Sequence, residues 1–212
     1  MRLYDVNDMV KADCQGCEGC SECCLGMGDS IVLDPLDVFH LMQYLQMSFE
    51  ELLKEGIALH LEDGLILPHV RMVGPENRCY FLSEEGRCTI HTHRPGLCRA
   101  FPLGRQYTDG KLTYFLLEEA CAKKQHTKVK VSKWVSMQDM PNYRDYLEIW
   151  HAFLKEQRNR VHGIKENEQM IKRLNMSLLR TFYMLPYEQD TNFMVQFEGR
   201  MKNYDQYSFD KS

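Results

Sequence analysis

Five cysteines fall within eleven residues, Cys14, Cys17, Cys20, Cys23 and Cys24, in the order C-x2-C-x2-C-x2-C-C. No other feature restricts the fold as much. A thiol at every third position brings several soft donors towards one point, which suits a metal ion or an iron–sulfur cluster. Cys79, Cys88, Cys98 and Cys121 follow singly, making nine. An odd number excludes complete internal disulfide pairing. At 212 residues the chain is long enough to bury a core without covalent staples. The cysteines therefore read as ligands before they read as cross-links.

The start, Met1-Arg2-Leu3-Tyr4-Asp5-Val6, has no apolar signal-peptide core, and no run approaches the ~18 apolar residues of a membrane span. The expectation is a cytoplasmic protein in a reducing compartment, with no membrane partner. A net charge of −4 argues against general nucleic-acid binding. One basic run, Lys123, Lys124, Lys128, Lys130 and Lys133, reads as the solvated face of a strand, with a site for an acidic partner as the alternative.

Residues 1–30 read as loop, with Gly16, Gly19, Gly26 and Gly28 among the cysteines. Asp34-Pro35 starts a helix, as N-cap and first helical residue, with Leu36, Phe39, Leu41, Met42 and Leu45 on its apolar face. Ser48 and Glu51 form a capping box for a short second helix closed by Gly56. Strands follow. Asp63-Gly64 turns between Ile57–Leu61 and Leu65–Val70, and Asp109-Gly110 turns between Leu103–Tyr107 and Leu112–Leu117. Tyr80–Leu82 and Cys88–Ile90 flank a turn at Ser83–Arg87, and Val129–Val135 is a further candidate strand. From Pro141 the apolar spacing is helical to Gly163, again over Ile171–Leu185 before Pro186, and again over Phe193–Tyr204. The fold class expected is α+β: a cysteine-rich metal-binding domain at 1–139 with a small antiparallel sheet and flanking helices, then a helical C-terminal extension at 140–212.

Several segments carry a resemblance in order along the chain. Cys17-Glu18-Gly19-Cys20-Ser21-Glu22-Cys23-Cys24 resembles the C-x-G-C-x-x-C-C signature of the YkgJ-type CxxCxxCC cysteine-cluster family, associated with zinc or iron chelation. Leu33-Asp34-Pro35-Leu36-Asp37 resembles that family's helix start, Cys79-Tyr80-Phe81-Leu82 its C-x-F-L segment, and Gly86-Arg87-Cys88-Thr89-Ile90 its G-x-C-x-I. Arg94-Pro95-Gly96-Leu97-Cys98-Arg99-Ala100-Phe101-Pro102 resembles R-P-x-x-C-R-x-F-P, and Cys121 falls where a last cysteine is common. The resemblance spans residues 14–121 and implies that Cys17, Cys20, Cys23, Cys24, Cys79, Cys88, Cys98 and Cys121 are ligands. Cys14 is an additional thiol, and His91 and His93 depart from the pattern.

The candidate metal ligands are therefore all nine cysteines. In an extended segment Cys23 and Cys24 would point to opposite sides, which favours two centres or one dinuclear centre. Arg94 and Arg99 flank Cys98 and are the candidate cofactor-binding residues, donating either to sulfur or to a substrate anion. His91 and His93 read as a polar surface pair, with metal ligation as the alternative. The cofactor expected is an iron–sulfur cluster, 4Fe–4S, or zinc, in an all-cysteine site. The family resemblance extends to flagellin lysine N-methylases, which implies a second possibility, SAM-dependent modification of a protein substrate. A docking module for a protein partner is the third. No dinucleotide fingerprint, P-loop, H-E-x-x-H or radical-SAM cysteine spacing is present.

Overall fold

The computed structural model describes residues 1–13, 20–118, 120–121, 123, 126–136 and 140–208. Cys14, Gly16, Cys17, Gly19 and Lys124 lie outside the described residues. The fold is α+β, with small antiparallel sheets and helices that dominate the C-terminal part. It divides into two compact units, Met1–Ile31 with Met72–Ala152, and Val32–Arg71 with Phe153–Ser212. The early helices and the Ile57–Val70 hairpin share a core with the late helices, a grouping that composition along the chain does not register.

In the first unit a three-stranded antiparallel sheet places Lys111–Leu116 between Leu3–Tyr4 and Leu103–Thr108. Asp109 and Gly110 turn the hairpin with φ of 50° and 79°, the left-handed pair that a tight hairpin requires. Glu148, on the helix Met140–Gly163, accepts from the Leu112 amide at 2.9 Å and from Lys111 Nζ at 3.1 Å.

A second ladder pairs Met9–Asp13 with Thr127–Lys130. Residues 1–30 are thus not all loop, as their composition suggests: Met9–Asp13 is a strand with Val10 and Ala12 buried in alternation. The expected strand Val129–Val135 is also corrected. It is a strand to Lys130 and then a helix, Val131–Val135. Val131 and Val135, four apart, are both buried, and Trp134 Nε1 donates to the Ala100 and Phe101 carbonyls at 3.1 Å. Lys128, Lys130 and Lys133 are exposed, as a solvated face requires.

In the second unit Asp34 caps the helix Pro35–Leu45 and Ser48 caps Phe49–Lys54, each in a reciprocal capping box. Arg71 accounts for the end of the shorter helix, donating to the carbonyls of Leu53, Lys54 and Ile57. The hairpin Ile57–Glu62/Leu65–Val70 turns on Asp63-Gly64, and a Cβ on Gly64 would come within 2.7 Å of Val161. Asn175 locks that turn, accepting from the Ile66 amide at 2.6 Å and donating to the Gly64 carbonyl at 3.1 Å. The helix Glu168–Leu179 ends in a wider π turn, Arg180–Met184, before Pro186. Arg200, on the helix Phe193–Ser208, donates to the Thr181, Leu185 and Pro186 carbonyls left over there. Phe153, Phe182, Phe197 and Tyr204 form the aromatic centre of this unit.

Candidate metal centre

Cys23 and Cys24 sit in a 3-10 turn, Glu22–Cys24, closed by the Cys24 amide donating to the Ser21 carbonyl at 2.8 Å. Leu25 then bridges to Arg78, and the Gly26 amide donates to the Asn77 carbonyl at 2.9 Å. Gly26 takes φ of 67°, which a side chain would resist. These bonds fasten the Cys23–Cys24 turn to the short ribbon Met72–Val73/Arg78–Cys79, so Cys79 is positioned by strand pairing.

The loop to Cys88 is clamped in turn. Arg78 donates to the Leu82 and Ser83 carbonyls, Leu82 bridges to Cys88, and the Thr89 amide and hydroxyl both donate to the Phe81 carbonyl. Tyr80–Leu82 and Cys88–Ile90 are therefore not strands but turns joined by a single bridge, because these loop bonds take up the backbone groups a longer ladder would use. A 3-10 turn at His91–His93 leads through Arg94-Pro95 to the short helix Gly96–Ala100, which carries Cys98 and Arg99.

The Cys23 and Cys24 sulfurs are 4.0 Å apart. They share one side, because the chain is helical here and not extended. Their hydrogen bond, with burial, holds the Cys23 thiol far above the ordinary range, against the pull of Arg94. At Cys24 the bond from Cys23 lowers the pKa, but the bond to Cys79, burial and the charges of Cys79 and Cys88 outweigh it, and the thiol is pushed up to about 12. The Cys24 hydrogen bond lowers Cys79, against burial and the nearby Cys98 and Cys88. Burial raises Cys88, while the Ile90 amide and Arg94 draw it down. Cys23, Cys24 and Cys79 are thus linked through thiol hydrogen bonds, Cys88 lies within electrostatic reach of them and Cys98 within reach of Cys79.

Cys20 and Cys121 are half-buried thiols with no contact to these sulfurs seen among the described residues. No group of three or more His, Cys, Asp or Glu side chains among the described residues is arranged to hold a metal ion as it stands. The donor set nonetheless fits a thiophilic centre. Zn–S bonds of about 2.3 Å in a tetrahedron separate sulfurs by about 3.8 Å, close to the Cys23–Cys24 spacing. A cation that displaces the shared protons would remove the repulsion that raises these thiols.

The arginines flanking Cys98 part company. Arg94 acts on Cys23 and Cys88. Arg99 reaches the Arg94 carbonyl and stands over the Tyr143 ring. His91 is exposed, its pKa lowered by its partial burial and by Arg94 and Arg87, and His93 meets the Thr92 hydroxyl at 2.9 Å. Sequence reasoning missed Arg78, the clamp of the cysteine loop. Its one signal was adjacency to Cys79.

The family described as "CxxCxxCC: Putative zinc- or iron-chelating domain" matches residues 16–127. This chain belongs to it. Membership in the CxxCxxCC family supports metal binding in general. The match contains every cysteine except Cys14, which precedes it. Nothing among curated proteins or solved structures matches the chain. No helix among the described residues is long and apolar enough to cross a membrane.

Proposed function

We propose that this CxxCxxCC protein holds an all-cysteine iron–sulfur centre in one thiolate pocket, with zinc as the alternative metal. The observation that carries the reading is the convergence of Cys23, Cys24, Cys79, Cys88 and Cys98 beside Arg94. Cys14, Cys17, Cys20 and Cys121 would complete the set. Two adjacent thiols on one side favour a polynuclear centre over two separate ones. Sulfur-only donors at repeated two-residue gaps favour a cluster, which would supply electron transfer; zinc would supply folding energy alone. Arg94 would neutralise thiolate charge from outside the ligand shell.

Anaerobic purification with elemental analysis and visible absorption tests this. A brown protein containing iron and acid-labile sulfide, bleached by air and by Cys24→Ser, is expected. Colourless protein with stoichiometric zinc assigns the alternative. Protein binding neither metal defeats both. Modification of a protein substrate rests on the family resemblance alone.

A further inference from the structure

Three arginines from three different elements gather near one buried phenol in the first unit. Tyr114 is fully buried on the strand Lys111–Leu116, and Arg105 is its direct cross-strand partner. Arg99 comes from the helix Gly96–Ala100 and Arg144 from the helix Met140–Gly163. Burial raises the phenol's pKa, and the charges of Arg105, Arg144 and Arg99 oppose that rise. Tyr143 forms a wall of the same site. Its hydroxyl accepts from Arg105 Nη2 at 2.6 Å, and the Arg99 and Arg105 guanidinium carbons stand 5.9 and 5.7 Å from its ring centre. Gly96 makes this approach possible: a Cβ there would come within 2.1 Å of the Tyr143 hydroxyl and 2.3 Å of Arg105 Nη2.

Like charges gathered this closely call for counter-charge. The chain supplies little among the described residues. Asp5 reaches Arg144 at 3.7 Å from an exposed position, and Glu148 also serves Lys111 and the Leu112 amide. Arg99 Nε and Nη2, Arg144 Nε and the Tyr114 hydroxyl are buried with no hydrogen-bond partner among the described residues. Buried donors of this kind are costly unless something accepts from them. Guanidinium forks match the paired oxygens of carboxylates and phosphates.

We propose that Arg99, Arg105, Arg144 and the Tyr114 hydroxyl bind an oxyanion group, carboxylate or phosphate, carried by a small ligand. The site uses none of the thiols, so it stands or falls apart from the metal reading. Cys98 and Arg99 are consecutive, which links the anion site to the thiol pocket through one helical turn.

The test is calorimetric titration of the full chain, as purified, with inorganic phosphate and separately with succinate, at constant ionic strength in chloride. Thermal denaturation is run alongside. A saturable heat and a rise in Tm are expected with at least one anion. Arg144→Gln should weaken binding roughly tenfold or more, the loss of one charge-assisted hydrogen bond. Tyr114→Phe should weaken it severalfold. Tyr114→Phe removes a hydroxyl without emptying space, so it decides the matter should Arg144→Gln fail to fold. Response to phosphate alone assigns a phosphate ester, to succinate alone a carboxylate, and to both a general oxyanion site. No saturable response, or one that is the same in wild type and in every folded variant, overturns the proposal.

Discussion

The thiol-bearing stretch of the first unit and the unit of late helices are held together by different physics. The second has a continuous apolar centre, where the Phe153, Phe182 and Tyr204 rings meet at 4.9 to 5.6 Å and Leu33, Leu41, Leu52, Ile57 and Leu178 are fully buried. Between Met72 and Ala100 the first unit buries just five apolar side chains, Phe81, Leu82, Ile90, Pro95 and Ala100. Its order there comes from carbonyls satisfied one at a time by Arg78, Thr89 and Gly26. A core of that size does little by itself, which leaves a bound centre the largest stabilising term available to it.

The strongest way to break this contrast is to strip the metal under anaerobic chelation and follow amide hydrogen exchange. Structural zinc contributes on the order of 10 kcal/mol in small thiolate domains. Amides of residues 20–30 and 72–100 should lose protection while those of 33–70 and 168–204 keep theirs. Equal loss in both would end the distinction. Next is Phe182→Ala, which should cost about 3–5 kcal/mol in denaturant unfolding through the cavity it leaves, with or without metal. Asn175→Ala should cost about 2 kcal/mol, because it leaves the Ile66 amide and the Gly64 carbonyl without their buried partner.

The smallest effect concerns Glu148. Partial burial would raise its carboxyl, but the Leu112 amide, Lys111 and Arg144 together hold it below the ordinary value. A depressed carboxylate stabilises the fold above its unfolded pKa of about 4.3, and the contribution fades as pH falls through the lower folded value. Glu148→Gln should therefore lose under about 1 kcal/mol at pH 7 and converge on wild type under acid. A difference independent of pH would show that the carboxylate charge is not what stabilises.

Legibility in the sequence followed range. Asp34, Ser48, Asp63-Gly64 and Asp109-Gly110 act on neighbours within a few residues, and the helix starts and turns read from them stand where expected. The strand Met9–Asp13 was hidden because its partner lies over a hundred residues away and glycine-rich sequence follows it. The helix Val131–Val135 was hidden because two valines four apart within a β-branched run fit either period, and the Trp134 contact that decides between them is tertiary. Cysteine spacing announced a thiolate pocket, but the side on which Cys24 lies depends on a 3-10 turn closed by Ser21. The partners of Arg94 and Arg99 depend on which strand and helix face each one, which spacing alone does not encode.

The pairing of Asp13 with Thr127 has one more consequence. The polypeptide departs into the cysteine-bearing stretch and returns from it at adjacent rungs of a ladder, so the entire excursion is a closed circuit with a two-strand stem. That circuit is not self-contained, because its Val32–Arg71 stretch shares the core of the second unit with Phe153–Ser212, so a cut at the stem would remove part of that core along with the sulfurs.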